Sequence, residues 1–157
     1  MTDQIADADS LVRRMNRGSP QATALAIETL SMQDGHAVLK VPYHPQLIGD
    51  PDTGVIAGGV VTTLLDHGCG HAVHLALTSF QVIATLDLRI DYMRAAKVGA
   101  DLYCRAQCYK TTRSVAFVRA VAYDDDPDDP VAAAQAAFML DSSPIKRPTQ
   151  GTDGGPA

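Results

Sequence analysis

Two apolar rhythms run along this chain, and the switches between them mark its elements. Ile5, Ala8, Leu11, Val12 and Met15 recur at helical spacing, which predicts a short helix over residues 3–17, stopped by Gly18 and Pro20. Residues 22–32 and 36–42 read as strands, and Asp34-Gly35 between them is a hairpin signal because both turn positions tolerate positive φ. Residues 43–57 carry His44-Pro45, Gly49-Asp50-Pro51-Asp52 and Thr53-Gly54, and are expected to be a loop. From 58 to 79 the helical rhythm returns, with Val61, Leu64, Leu65, Gly68, Ala72, Leu75 and Ala76 in one apolar stripe. Gly58-Gly59 opens this stretch, and Gly68 and Gly70 lie inside it. Glycine costs a helix up to ~1 kcal/mol per residue, so these glycines imply a neighbour packed very close.

Four strands are expected to follow. Over 82–92, Val82, Ala84, Leu86, Leu88, Ile90 and Tyr92 point one way and Ile83, Thr85, Asp87, Arg89 and Asp91 the other. Lys97 to Gly99 turn into strand 101–110, and Thr111 to Arg113 into strand 114–123. The run Asp124-Asp125-Asp126-Pro127-Asp128-Asp129-Pro130 reads as a solvated hairpin tip before strand 131–140, since it lacks the glycine and distal glutamate of a calcium loop. Strands joined by short turns are antiparallel neighbours, and one long apolar helix beside one sheet makes a two-layer α+β domain. The expected organisation is an N-terminal helix and linker over 1–19, one domain over 20–141, and a disordered tail over 142–157, rich in Pro, Gly, Thr and Ser.

Composition narrows the class. With 157 residues, 46% of them hydrophobic and 20% charged, the chain can bury its own core, which excludes a wholly disordered chain and a disulfide miniprotein. No apolar run reaches the ~18 residues of a membrane helix. Residues 1–9 hold Asp3, Asp7 and Asp9 and no basic residue, so neither a membrane span nor a secretory signal is expected. A net charge of −5 argues against a nucleic-acid partner, which needs a basic stripe to displace counterions. Cys69, Cys104 and Cys108 are an odd, unpatterned set, which reads as reduced thiols and a cytoplasmic location.

The candidate chemistry gathers on the long helix. Asp66 lies two turns into a stretch nearly free of charge. It either faces solvent or caps a neighbouring loop, or it is a general base or nucleophile in a cleft, where burial tunes a carboxylate. Gly58-Gly59 is either a flexible entry to the helix or a bare N-terminus whose N–H groups bind developing negative charge. Asp66 lies about 12 Å further along the same helix at 1.5 Å per residue. One subunit therefore cannot aim both at one atom, and a shared site requires an antiparallel copy of the helix in a two-fold dimer. His67 and His71 share a face at i, i+4, the spacing of a zinc pair. The His-Glu-x-x-His pattern is absent, however, and Cys69 sits about 200° around the helix from His67, so no metal or other cofactor is expected.

The stretch Gly49-Asp50-Pro51-Asp52-Thr53-Gly54-Val55-Ile56-Ala57-Gly58-Gly59, followed by Leu64-Leu65-Asp66, resembles the hotdog-fold thioesterases of the PaaI type. Their signature is a glycine loop, then His-Gly-Gly, then a helix with a catalytic Asp seven residues beyond the second Gly, the spacing from Gly59 to Asp66 here. Residues 88–102 are similar to the family's third strand and the turn after it, and residues 114–120 to its fifth strand. The likeness spans roughly residues 20–141. It implies an antiparallel sheet wrapped around one long central helix, and hydrolysis of an acyl-CoA thioester by a dimer or tetramer. By the same resemblance Asp66 is the base or nucleophile, Gly58 N–H polarises the carbonyl, Thr85 places the water, and Asp50 falls where many members carry an Asn. Gly59, Thr63, His67, Arg94, Arg113 and Ser114 fall on the substrate-binding side, with Arg94, Lys97 or Arg113 suited to CoA phosphates.

Three positions depart from the family pattern: Ala57 replaces the His, Asp50 the Asn, and Thr112 the glycine of the fourth-to-fifth strand turn. If Asp50 lies beside Asp66, like charge holds one of the two protonated above the ordinary range. A hotdog module that binds an acyl thioester without cleaving it is the alternative function. A hydratase, with His44 opposite an acid, is a third.

Overall fold

The computed structural model describes residues 19–141, so the helix expected over 3–17 and the tail from Ser142 lie outside the described residues. Ser19-Pro20 starts a helix. The Ser19 side chain accepts the Ala22 N–H, and proline, preset in φ, occupies the first turn of α1, Pro20–Ala24. This one turn takes up the start of the strand expected over 22–32. The strand itself, β1, is Glu28–Gln33, reached through Ala26 at φ 51°. Asp34 and Gly35, both at positive φ, then turn the chain into β2, His36–Val41.

The expected loop over 43–57 is more ordered than its composition suggests. A 3-10 turn over Pro45–Leu47 leads into β3, Ile48–Asp50, which pairs with β4, Val55–Ile56. The long helix α2 follows as Gly58–Ala76, and β5 runs Val82–Tyr92. The last strands are β6, Leu102–Thr111, β7, Val115–Tyr123, and β8, Ala132–Asp141.

Six strands form one antiparallel sheet in the order β1-β2-β6-β7-β8-β5, and α2 touches every one of them. A helix can reach six strands only if the sheet curves around it, which is the hotdog arrangement. The inner face of the sheet is made of small residues. Cys104 and Ala106 on β6, Ala116 and Ala120 on β7, and Ala132, Ala134 and Ala136 on β8 are all buried. The helix answers with Gly68, where an added Cβ would run into Cys104 Sγ. The close packing implied by the glycines is therefore at Gly68. At Gly70 an added Cβ would meet only Ile83 and Phe138 at ordinary contact distance, 3.8 and 3.9 Å.

β5 departs from the strict alternation expected of it. Its pairing with β8 skips a residue between Thr85 and Asp87, so Leu86 is an inserted bulge residue and stands 59% exposed. The bulge reverses the phase. Ile83 and Thr85 face α2 before it, and Leu88, Ile90 and Tyr92 face α2 after it. Both polar partners, Thr85 and Tyr92, and the aliphatic residues thus reach the helix from a single strand.

The two interior glycines of α2 should respond oppositely to the same change. Gly68→Ala is expected to lower stability by about 1–3 kcal/mol through overpacking. Gly70→Ala, which has room, should be neutral or gain up to ~1 kcal/mol of helix propensity. Thermal melts of the two variants check this contrast.

Candidate active site

Asp66 is half-buried at the middle of α2, on the side that faces the edge strand. Thr85 Oγ1 donates to its Oδ1 over 2.9 Å. Among the described residues no other side chain donates to this carboxylate, so Oδ2 keeps its acceptor capacity for a ligand or water.

The start of α2 is bare. Ala57 is the N-cap and supplies no side-chain acceptor, and the first turn holds no acid. Gly58 and Gly59 are exposed, with nothing within 4 Å of where a Gly59 Cβ would stand. The entry is nonetheless fixed. Ala57 N–H donates to Leu47 O over 2.8 Å, and a Cβ on Gly49 would come within 2.7 Å of Ala57 Cα, so β3 presses directly on the helix start. Tyr92 OH donates to Gly58 O over 2.9 Å. Thr62 Oγ1 reaches the same carbonyl at 3.1 Å and lies 2.8 Å from the Tyr92 hydroxyl. Sequence reasoning missed Tyr92, because unbroken alternation puts it on the face opposite Thr85 and only the bulge brings both to the helix.

The remaining candidates fall in four places. Thr63 Oγ1 donates to Gly59 O at 2.9 Å and His67 Nδ1 to Thr63 O at 3.2 Å, so both side chains bond back onto α2 beside Asp66. Asp50 is engaged in its own turn. Its Oδ1 accepts Asp52 N–H at 3.0 Å and its Oδ2 accepts Thr53 Oγ1 at 2.8 Å. The Thr53 hydroxyl, with the Asp52 amide, holds the Asp50 carboxyl below the usual range, the opposite direction from an acid kept protonated by a like-charged neighbour. Arg113 and Ser114 are exposed in the β6–β7 turn, which Thr112 closes by bonding both the amide and the carbonyl of Val115.

Arg94 is occupied within the chain. Its Nη1 and Nη2 donate to the two oxygens of Asp124 at 2.8 and 2.7 Å, and Nη2 also donates to Asp129 O at 2.7 Å. The Asp124 side chain has 0% exposure and also accepts Lys97 N–H, so Arg94 and that amide hold its carboxyl at about 2. The start of the acidic run is therefore a buried clamp rather than a solvated tip, although Asp125 and Asp129 remain at the surface. Lys97 Nζ lies 2.8 Å from Asp125.

His71 also has its ring nitrogens engaged. Nδ1 donates to His67 O at 2.8 Å, and Nε2 lies 3.2 Å from Thr29 Oγ1, the tautomer that makes the threonine hydroxyl the donor. Burial pulls its pKa down to about 4. The i, i+4 pair therefore does not present two free ring nitrogens: His71 ties α2 to β1.

With this geometry in view, comparison with known proteins places the chain. Residues 53–131 match the model of the thioesterase superfamily. A curated relative from Halobacterium salinarum, named "Putative esterase", is 31% identical over 142 residues, covering 85% of this chain and 93% of its own. The chain belongs to the thioesterase superfamily. A crystal structure from Pseudomonas aeruginosa is 39% identical, covers 82% of this chain and 95% of its own, and superposes with a TM-score of 0.75. The Escherichia coli PaaI protein, from the phenylacetic acid degradation operon, shares the fold at TM-score 0.76 with 19% identity, over 88% of this chain and 96% of its own. Membership of this superfamily makes thioester hydrolysis the general chemistry of this chain.

Two measurements check the structural assignments. Arg94→Gln leaves the Asp124 carboxylate buried without its cation, so it should lower stability by about 3–5 kcal/mol, the range for breaking one side of a buried pair. For His71, the unfolded chain takes up a proton near 6.5 and the folded chain only near 4. Its contribution to stability is thus complete above 6.5 and is lost as pH falls toward 4. Melting temperature against pH should slope less in that window for His71→Leu than for the natural sequence, whatever the variant's absolute value.

Proposed function

We propose that the chain is an acyl-CoA thioesterase that releases a free acid and CoA. The observation that carries this reading is the 2.9 Å hydrogen bond from Thr85 to Asp66, which orients the single carboxylate of α2 at the middle of the helix. With Oδ1 held, Oδ2 takes a proton from water as the water oxygen attacks the thioester carbon. The carbonyl oxygen becomes an oxyanion, stabilised by the Gly58 N–H at a bare helix N-terminus. The intermediate then collapses with cleavage of the C–S bond, and the thiolate leaves as CoA and recovers a proton. Direct attack by Asp66 on the carbonyl is the other route through the same atoms.

The two groups act on one carbonyl only across two copies of the chain. β5 supports such an assembly: it is an eleven-residue edge strand with one hydrogen-bonding side unpaired among the described residues, and Val82, Leu86, Tyr92 and the adjoining Met93 lie exposed along it. A long, exposed, apolar edge is a liability unless another strand covers it. Thr63 and His67 lie beside Asp66 for acyl contacts, and Arg113 and Ser114 are open for CoA phosphates, whereas Arg94 is spent on Asp124.

Two observations favour binding without turnover. Ala57 leaves the helix start without a side-chain donor, and the Asp50 carboxylate is tied into its turn. Release of free CoA from a panel of acyl-CoAs, read with a thiol dye, separates the two readings. Asp66→Asn should keep the fold and lower kcat by about 100-fold or more, while Thr85→Val should lower it by about tenfold with a smaller change in KM. Light scattering should give a dimer or tetramer. A fully active monomer, or an Asp66→Asn variant with unchanged kcat, would overturn this assignment.

A further inference from the structure

The face of the sheet turned away from α2 carries a concavity with a volume of about 420 Å³. The register builds it. Arg89 on β5 pairs with Gln135 on β8, Gln135 with Arg119 on β7, and Arg119 with Gln107 on β6. These four residues make one polar row across four strands, and Arg105 stands two residues before Gln107 on the same outward side. Alternate residues Ala106, Ala120, Ala134 and Ala136 are buried toward α2, so the row faces away from the helix. The pocket thus shares none of the residues assigned above to the thioester site.

Its charges are incompletely balanced. Among the described residues, neither Arg105 nor Arg119 forms an ion pair. Arg119 uses Nε and Nη2 on one neutral oxygen, Gln107 Oε1, at 3.1 and 2.7 Å, and Arg105 Nη2 lies 3.4 Å from His36 Nε2. Arg89 is shared with Asp91 at 3.1 Å, with both side chains mostly exposed. Two guanidinium groups free of carboxylates and a third weakly held, in a chain of net charge −5, are a local reversal of sign. Guanidinium forks match phosphate oxygens in geometry as well as charge. The rest of the lining specifies the remainder of a ligand. Gln107 and Gln135 offer amides, and Asp91 and Asp128 at the edges accept from hydroxyls. Among the described residues no Phe, Tyr or Trp lines the pocket to stack a nucleobase.

We propose that the outer face of the sheet carries a second binding site, for a small hydroxylated organic phosphate of the sugar-phosphate kind, with Arg105 and Arg119 on the phosphate, Arg89 beside them, and Gln135, Asp91 and Asp128 on the hydroxyls. This does not rest on the hydrolase reading, because binding is measured without turnover.

The test is calorimetric titration of the full chain with ribose 5-phosphate, glycerol 3-phosphate, inorganic phosphate and unphosphorylated ribose. Saturable binding of the two organic phosphates is expected, with inorganic phosphate weaker and ribose undetectable. Arg105→Gln and Arg119→Gln should each weaken binding by about tenfold or more, whereas Asp66→Asn should leave it unchanged. Gln135→Leu, which keeps every charge, should lower affinity for ribose 5-phosphate more than for inorganic phosphate. Melting temperatures confirm that each variant is folded.

Several results would overturn the proposal: no saturable binding, binding indifferent to the arginine variants, or equal affinity for inorganic and organic phosphate. Sedimentation with phosphatidylglycerol vesicles in place of soluble binding would make the ligand a lipid headgroup. A smaller assembly of Arg119→Gln by light scattering without ligand would make the face a contact between copies. Either of these also defeats it.

Discussion

The depth at which the long helix sits in the sheet governs the rest of the structure, and a contact without a side chain sets that depth. At Gly68 the helix backbone lies directly over Cys104 on β6. Alanines on β7 and β8 keep the same floor low on either side. Burying Gly68 also fixes the rotation of the helix. Asp66, two residues earlier, is about 200° away at 100° per residue, and is therefore carried out of the core toward the edge strand. There it is half-buried, where an unpaired carboxylate deep in an apolar core would be held at large cost. The glycine is therefore as much a part of the site as the acid, although it touches nothing that reacts.

The bulge at Leu86 is the second constraint, and it serves both faces of the sheet. Before it, Thr85 turns inward to Asp66. After it, Leu88 and Ile90 turn inward to the core and Tyr92 to the start of α2, while Arg89 and Asp91 turn outward to the arginine-lined concavity. An unbulged strand could not place both Thr85 and Tyr92 against one helix, since residues seven apart lie on opposite faces. One inserted residue thus couples the acid in the middle of α2 to the carbonyl at its start.

Charge is distributed with similar economy. The acidic run, which would repel itself if fully solvated, is anchored by burying Asp124 under Arg94 and the Lys97 amide. That clamp joins the β5–β6 connection to the β7–β8 turn. It also removes Arg94 from the cations available to a substrate, leaving Arg113 on the rim of one face and Arg105 and Arg119 on the other.

Much of this was legible in the chain itself. Periodicity located α2 and the four strands after it to within a few residues, because each is long and keeps one rhythm. Asp34-Gly35 announced its turn, and Asp66 stood out as an acid in an apolar helix. These are local properties that a short window contains. The Ser19-Pro20 helix start was also written locally, but the strand pattern around it masked it. The rest depended on pairing. The bulge exists only relative to β8, and the polar row through Arg89, Gln135, Arg119 and Gln107 only through three registers. The fate of Arg94 was decided by an aspartate 30 residues away. The sequence by itself determined which elements form and which acid is unusual. Which way Thr85 and Tyr92 point, which arginines are already neutralised and what lies behind the sheet were decided only in the tertiary structure, because register and burial are relations between segments that no single segment encodes.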